Sequence, residues 1–122
     1  MDGSFLRFYV REGQYIHHRP VWEWLLEHAN KLGIRGGSAF RATAGFGRHH
    51  KLHEAHFFEL AGTLAIEVEF IVNDKEAEDL FELLRKEHVR LFYARVPAQF
   101  GVLNPDANDP PGATSPAQGS AP

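Results

Sequence analysis

The residues best equipped for chemistry gather in one stretch of the chain. Between His28 and His53 there is no Asp or Glu, while Lys31, Arg35, Arg41, Arg48 and Lys51 supply five positive charges. Inside it stands Gly45-Phe46-Gly47-Arg48. Glycine main chain can approach an anion closely, and a guanidinium forks onto phosphate or carboxylate oxygens. Gly45, Phe46, Gly47, Arg48 and Arg41 are therefore candidate contacts for a small anionic ligand. The bland alternative is a set of surface cations offset by the acidic residues around position 76. Gly-Phe-Gly is neither a Walker loop nor G-x-G-x-x-G, so the motif alone does not choose between these readings.

A second cluster follows at once. Residues 48–56 hold four of the eight histidines, His49, His50, His53 and His56. Imidazole is a common ligand of zinc, copper and nickel, which makes these four candidate metal ligands. His53-Glu54-Ala55-His56 is one residue short of the H-E-x-x-H spacing, however, so the two imidazoles would not converge as in a zinc protease. A solvated polar loop is the competing reading. Catalysis has little footing, because Ser4, Ser38, Ser115 and Ser120 lie in no nucleophile elbow and the densest carboxylates belong to one helix face. The chain is expected not to be an enzyme.

These residues need elements to position them. The chain has 122 residues, 43% of them hydrophobic, with 13 Lys plus Arg against 16 Asp plus Glu, which is the size and balance of one globular domain. Asn104 to Pro122 contains five Pro, four Ala and no Lys, Arg or aromatic residue. Such a segment cannot bury enough surface to fold, so the expected folding unit is 4–103 and the tail 104–122 is expected to be disordered. A near-neutral domain with a pI of about 6.2 gives no reason to expect nucleic acid as a partner. With no Cys, disulfides and thiolate chemistry are excluded, and a reducing cytoplasm fits. Neither a leader nor a membrane-inserted segment is expected from the hydropathy pattern.

Leu6, Phe8 and Val10 alternate with Phe5, Arg7 and Tyr9, predicting a strand with apolar residues on both faces. Pro20 starts a helix over 20–32 whose apolar stripe is Trp22, Leu25, Ala29 and Leu32. A strand from Ala39 to Phe46 follows, then Leu64 to Val72, the clearest strand of the sequence. Asn73 and Glu76 have capping-box spacing for a helix over 74–87 lined by Ala77, Leu80, Phe81 and Leu84. Val89 to Val96 closes the series at Pro97. The order βαββαβ predicts an α+β, ferredoxin-like fold: a four-stranded antiparallel sheet with two helices on one face. The uncovered face, with Phe5, Tyr9 and Ile71 beside Arg7, Arg11, Arg41, Glu67 and Glu69, is mixed enough to be buried best by copies of itself.

On Gly45-Phe46-Gly47-Arg48 at a strand end, with the polar loop and the strand Leu64 to Val72 behind it, the chain resembles the PII signal-transduction family. It is closer still to the small bacterial PII-like proteins of domain of unknown function 190. The opening strand, the helix started by Pro20, Gly36-Gly37 and the lone-His loop with His53 carry that resemblance over about residues 5–96. It implies a homotrimer with inward-facing sheets and an intersubunit cleft for an adenine nucleotide or other small anionic metabolite. The 48–63 segment would be a T-loop that signals to a membrane transporter or enzyme. Gly45, Phe46 and Gly47 would then supply backbone contacts and Arg48 a phosphate contact. Where PII proteins carry a glycine-lysine phosphate loop, this chain has Lys86-Glu87-His88-Val89. Structural analogy with copper-tolerance trimers gives the alternative, a metal-responsive protein using the four loop histidines.

Overall fold

Side-chain alternation along two long strands builds the molecule. The computed structural model describes residues 1–46, the backbone of 53–54, and 64–109. Strand β1 is Asp2–Arg11. A two-residue ribbon, β2 (Tyr15–Ile16) with β3 (Arg19–Pro20), leads into helix α1 (Val21–Lys31). Strand β4 is Gly37–Arg41, and β5 (Ala44–Gly45) pairs with β6 (His53–Glu54) in a second ribbon. Then come β7 (Ala65–Val72), α2 (Asp74–Glu87) and β8 (Phe92–Gln99). The main sheet runs β4-β7-β1-β8 and every pair in it is antiparallel, the ferredoxin-like arrangement expected from the element order.

Leu6, Phe8 and Val10 of β1 lie in register with Phe70, Val68 and Ile66 of β7, and all six are buried against the two helices. Phe8 meets Phe70 edge-on at 6.2 Å between ring centres. From α2 the core receives Ala77, Leu80 and Leu84. The start of α2 is fixed as its sequence predicts: Glu76 N donates to the Asn73 side chain at 2.8 Å, and Asn73 N donates to Glu76 at 2.9 Å.

Three local expectations are corrected. Helix α1 begins at Val21 with Pro20 as its N-cap, and its buried face is Val21, Trp24, Leu25 and Ala29. Trp22 is half-buried and Leu32, already past the helix, is 40% exposed. The second strand stops at Arg41 instead of running to Phe46: after a last ladder bond from Ala42 N to Ala65 O the chain bends at Thr43, and Ala44–Gly45 then pairs with β6. The last strand starts at Phe92 and continues through Pro97 to Gln99. Being at the sheet edge, β8 tolerates a proline that donates nothing to the ladder. At the N-terminus Asp2 and Gly3 are in β1, and the Met1 ammonium donates to Phe100 O at 2.9 Å.

The sheet face away from the helices is uncovered in the single chain. Ile71 is opposite Phe5, which is opposite Val96; Tyr9 is likewise flanked by Glu67 and Phe92. Ile71, Val96, Phe92 and Phe40 are 45, 50, 73 and 53% exposed. At the centre of the patch Arg7 bridges Glu69 at 2.7 Å and Glu67 at 3.7 Å. Arg41 does not belong here. It is in register with the core residue Ile66, which turns it to the helix side, while Phe40, opposite Glu67, takes the open side.

Candidate functional site

Two places in the chain gather groups suited to a ligand, and they lie at opposite edges of the sheet. The first is the end of β4. Arg41 donates through Nη2 to Glu12 Oε2, so this cation is already neutralised by a carboxylate. Glu12 sits there because its backbone N–H donates to Leu64 O at 2.8 Å, holding the turn after β1 against the start of β7. Beyond Arg41, Gly45 pairs with His53, and Phe46 is 66% exposed. Thus Arg41, Gly45 and Phe46 are near one another along one chain segment. Gly47, Arg48, His49, His50 and His56 lie outside the described residues, and of His53 only the backbone is described. Among the described residues no three His, Asp or Glu side chains gather as a metal site.

The second place is an open groove of about 690 Å³ between α2 and the β8 edge. Its volume lies within the range of about 300–1,000 Å³ usual for small-molecule sites. Phe8, Phe81, Leu84, Leu91 and Tyr93 give it an apolar lining, Arg85, Arg90 and Arg95 bring cations to it, and His88 adds an imidazole. Strand alternation explains the β8 contribution: Tyr93 is opposite Phe8 and Arg95 opposite Leu6, so both point to the helix side. Phe81 and Tyr93 stand 5.0 Å apart between ring centres. The guanidinium of Arg95 is 5.7 Å from the Phe81 ring centre and that of Arg85 is 6.0 Å away, both within cation–π range.

Most of this charge is committed. Arg95 donates to Ser4 Oγ at 3.0 Å and Glu78 at 3.1 Å, and lies 3.5 Å from Asp74. Arg85 reaches Glu82 at 3.5 Å. His88 ends α2 in the left-handed conformation, φ 54°, and its N–H donates to Arg85 O. That conformation turns the chain sharply out of the helix and carries 88–91 across the groove mouth. In the sequence alone His88 is an isolated surface residue and Arg95 one of several spare cations. The only signal that could have joined them is the pairing of β1 with β8, which no local spacing reveals.

His17 makes a separate contact, its Nε2 2.9 Å from Glu87 Oε1, tying the β2–β3 turn to the end of α2. His17 and His18 both have positive φ, 50° and 67°. His28 stacks on Trp24 at 4.3 Å and is half-buried. No helix among the described residues is long and apolar enough to cross a membrane.

Comparison with known proteins places these features in context. The family described as DUF190, Uncharacterized ACR, matches residues 3–90. A UPF0166 protein of Aquifex aeolicus (strain VF5) is 29% identical over 85 residues, covering 70% of this chain and 81% of the relative. Among solved structures, CPII bound to ADP and bicarbonate, from Thiomonas intermedia K12, superposes with a TM-score of 0.56 at 21% identity, covering 84% of this chain and 91% of that one. A protein described as PII-like and signaling from Thermus thermophilus superposes with a TM-score of 0.53 at 17% identity, covering 80% and 86%. At these identities the likeness is one of fold.

Proposed function

The chain belongs to the DUF190 family, and we propose that this member is a non-enzymatic, PII-like regulatory protein that binds an adenine nucleotide or similar small anion between subunits of a homotrimer. The observation that carries this reading is the division of the binding groups. The β4 end, with Gly45 and Phe46, and the groove at β8 occupy opposite edges of one sheet. One chain cannot close them around a ligand, but in a closed ring the β8 edge of one copy adjoins the β4 edge of the next. Burial of Ile71, Val96, Phe92 and Phe40 by copies of the same face supplies the apolar contact such a ring needs. The nucleotide class draws support from the Thiomonas neighbour, described as bound to ADP and bicarbonate.

In this reading Gly47 and Arg48 complete the phosphate contacts from the 48–63 segment, which transmits occupancy to a transporter or enzyme. Arg41 acts at one remove, holding the base of that segment through Glu12. The test joins light scattering with titration calorimetry using ATP, ADP, AMP, cyclic dinucleotides and bicarbonate. A trimer that binds at least one of them is expected. A monomer in solution removes the intersubunit cleft, and silence from every ligand removes the regulatory reading.

A further inference from the structure

We infer that the groove at the β8 edge selects a ligand made of a planar ring and a single phosphate-sized anionic group, with Arg90 as its anchor, and discriminates against polyphosphates. This rests on the proposed ligand-binding role and adds the charge class of the ligand to it. Three arginines line the groove, and three carboxylates, Asp74, Glu78 and Glu82, already pair with two of them. Arg95 is fully engaged by Asp74, Glu78 and Ser4, and Arg85 is drawn toward Glu82. Among the described residues Arg90 has no acidic partner, and it sits with His88 on the 88–91 connection at the C-terminal end of α2. The uncommitted positive charge of the groove is therefore local, the one guanidinium of Arg90.

Chemistry of the floor sets the rest of the ligand. Tyr93, 51% exposed beside the half-buried Phe81, offers aromatic surface that a flat ring covers well. A ring resting there with its phosphate at Arg90 has Glu78 in the same lining, where a carboxylate accepts hydrogen bonds from amino or hydroxyl groups. Within the groove's own lining further phosphates have no spare cation to meet. They would either displace Glu78 or Glu82 from its arginine or lie beside those carboxylates, and like charges side by side oppose binding. A nucleoside monophosphate has the required form.

Titration calorimetry of the full chain in magnesium-free buffer with adenosine, AMP, ADP and ATP tests this. AMP is expected to bind at least about tenfold more tightly than ATP. Arg90→Ala should weaken AMP by about tenfold to a hundredfold, the loss of one charge-assisted phosphate contact, and leave adenosine unchanged. The double variant Glu78→Gln, Glu82→Gln frees Arg85, removes one of the two carboxylates on Arg95, and should narrow the gap between AMP and ATP by about tenfold. Both carboxylates are exposed, so this variant decides the matter even if Arg90→Ala misfolds. ATP binding as tightly as AMP, or a gap unmoved by the double variant, overturns the charge selection while leaving a nucleotide-binding regulator in place. No heat from any of the four ligands overturns the charge selection, and the regulatory reading falls with it only if cyclic dinucleotides and bicarbonate are silent too.

Discussion

Replacing Ile71 by Asp is expected to break the proposed homotrimer and spare the monomer. Ile71 is 45% exposed in the single chain and sits opposite Phe5 on the open sheet face. Fully burying an isoleucine is worth about 1.5–3 kcal/mol, so covering the remaining surface contributes roughly 0.7–1.4 kcal/mol per chain, or roughly 2–4 kcal/mol for three. The variant loses this and brings three carboxylates into the same interface, at a cost of several kcal/mol more unless each finds a cation. A total of about 5 kcal/mol weakens assembly by more than three orders of magnitude. Inside the monomer the substitution removes only the part already buried, about 1–2 kcal/mol, which a domain stable by about 5–15 kcal/mol survives. Val68→Asp is the contrast, since Val68 is fully buried on the helix side and an isolated carboxylate there should unfold the chain. Light scattering over a dilution series, with circular dichroism on the same samples, reads both effects. A trimer that persists in Ile71→Asp, or a monomer that unfolds with it, would refute the assignment of this face as the interface.

Asn73→Ala removes one half of the capping box and should cost about 0.5–2 kcal/mol, seen as a fall in Tm of several degrees. The hydrogen bond from Arg19 holds the Glu27 carboxyl below its ordinary value of 4.5. A depressed carboxyl contributes stability above that value and loses it as pH falls through the folded-state pKa, so Glu27→Gln should flatten the loss of Tm below about pH 4.5. A slope equal to wild type would mean that the pair contributes nothing to folding. Removing Asn104 to Pro122 should leave stability within about 0.5 kcal/mol and the trimer intact, because 104–109 is exposed and the sequence beyond offers no large apolar anchor. A larger fall in Tm would show that the tail docks.

Legibility in the sequence follows how a residue's environment is built. Strand β7 is plain because it runs between β4 and β1 with one face in the core and the other not, so Ile66, Val68, Phe70 and Val72 alternate with Glu67 and Glu69. The start of α2 is plain because a cap is local. The end of strand β4 is hidden because Ala42 and Ala44 alternate as well as any strand, and only the bend at Thr43 and the pairing of Ala44 with Glu54 show the chain leaving the sheet. In α1 three aromatic or leucine stripes compete, and burial of Trp24 over Trp22 depends on which face meets the sheet. The groove is not legible at all. Its residues come from β1, α2 and β8, and pairing in the sheet, not spacing along the chain, brings Phe8 beside Tyr93.

Placing the binding groups on opposite sheet edges has a thermodynamic consequence for a regulator of this kind. If the ligand contacts two chains, it binds the assembled form and not the separated one, so ligand and neighbouring subunit stabilise each other by the same coupling free energy. Residues of the open face then control occupancy without touching the ligand, and groove residues such as Arg90 control assembly without touching the interface. Charge selection fits that coupling. A groove whose arginines are already paired by Glu78 and Glu82 adds little repulsion between adjoining chains when it is empty. Its one uncommitted guanidinium then leaves the bound anion to supply the difference between a loose ring and a closed one.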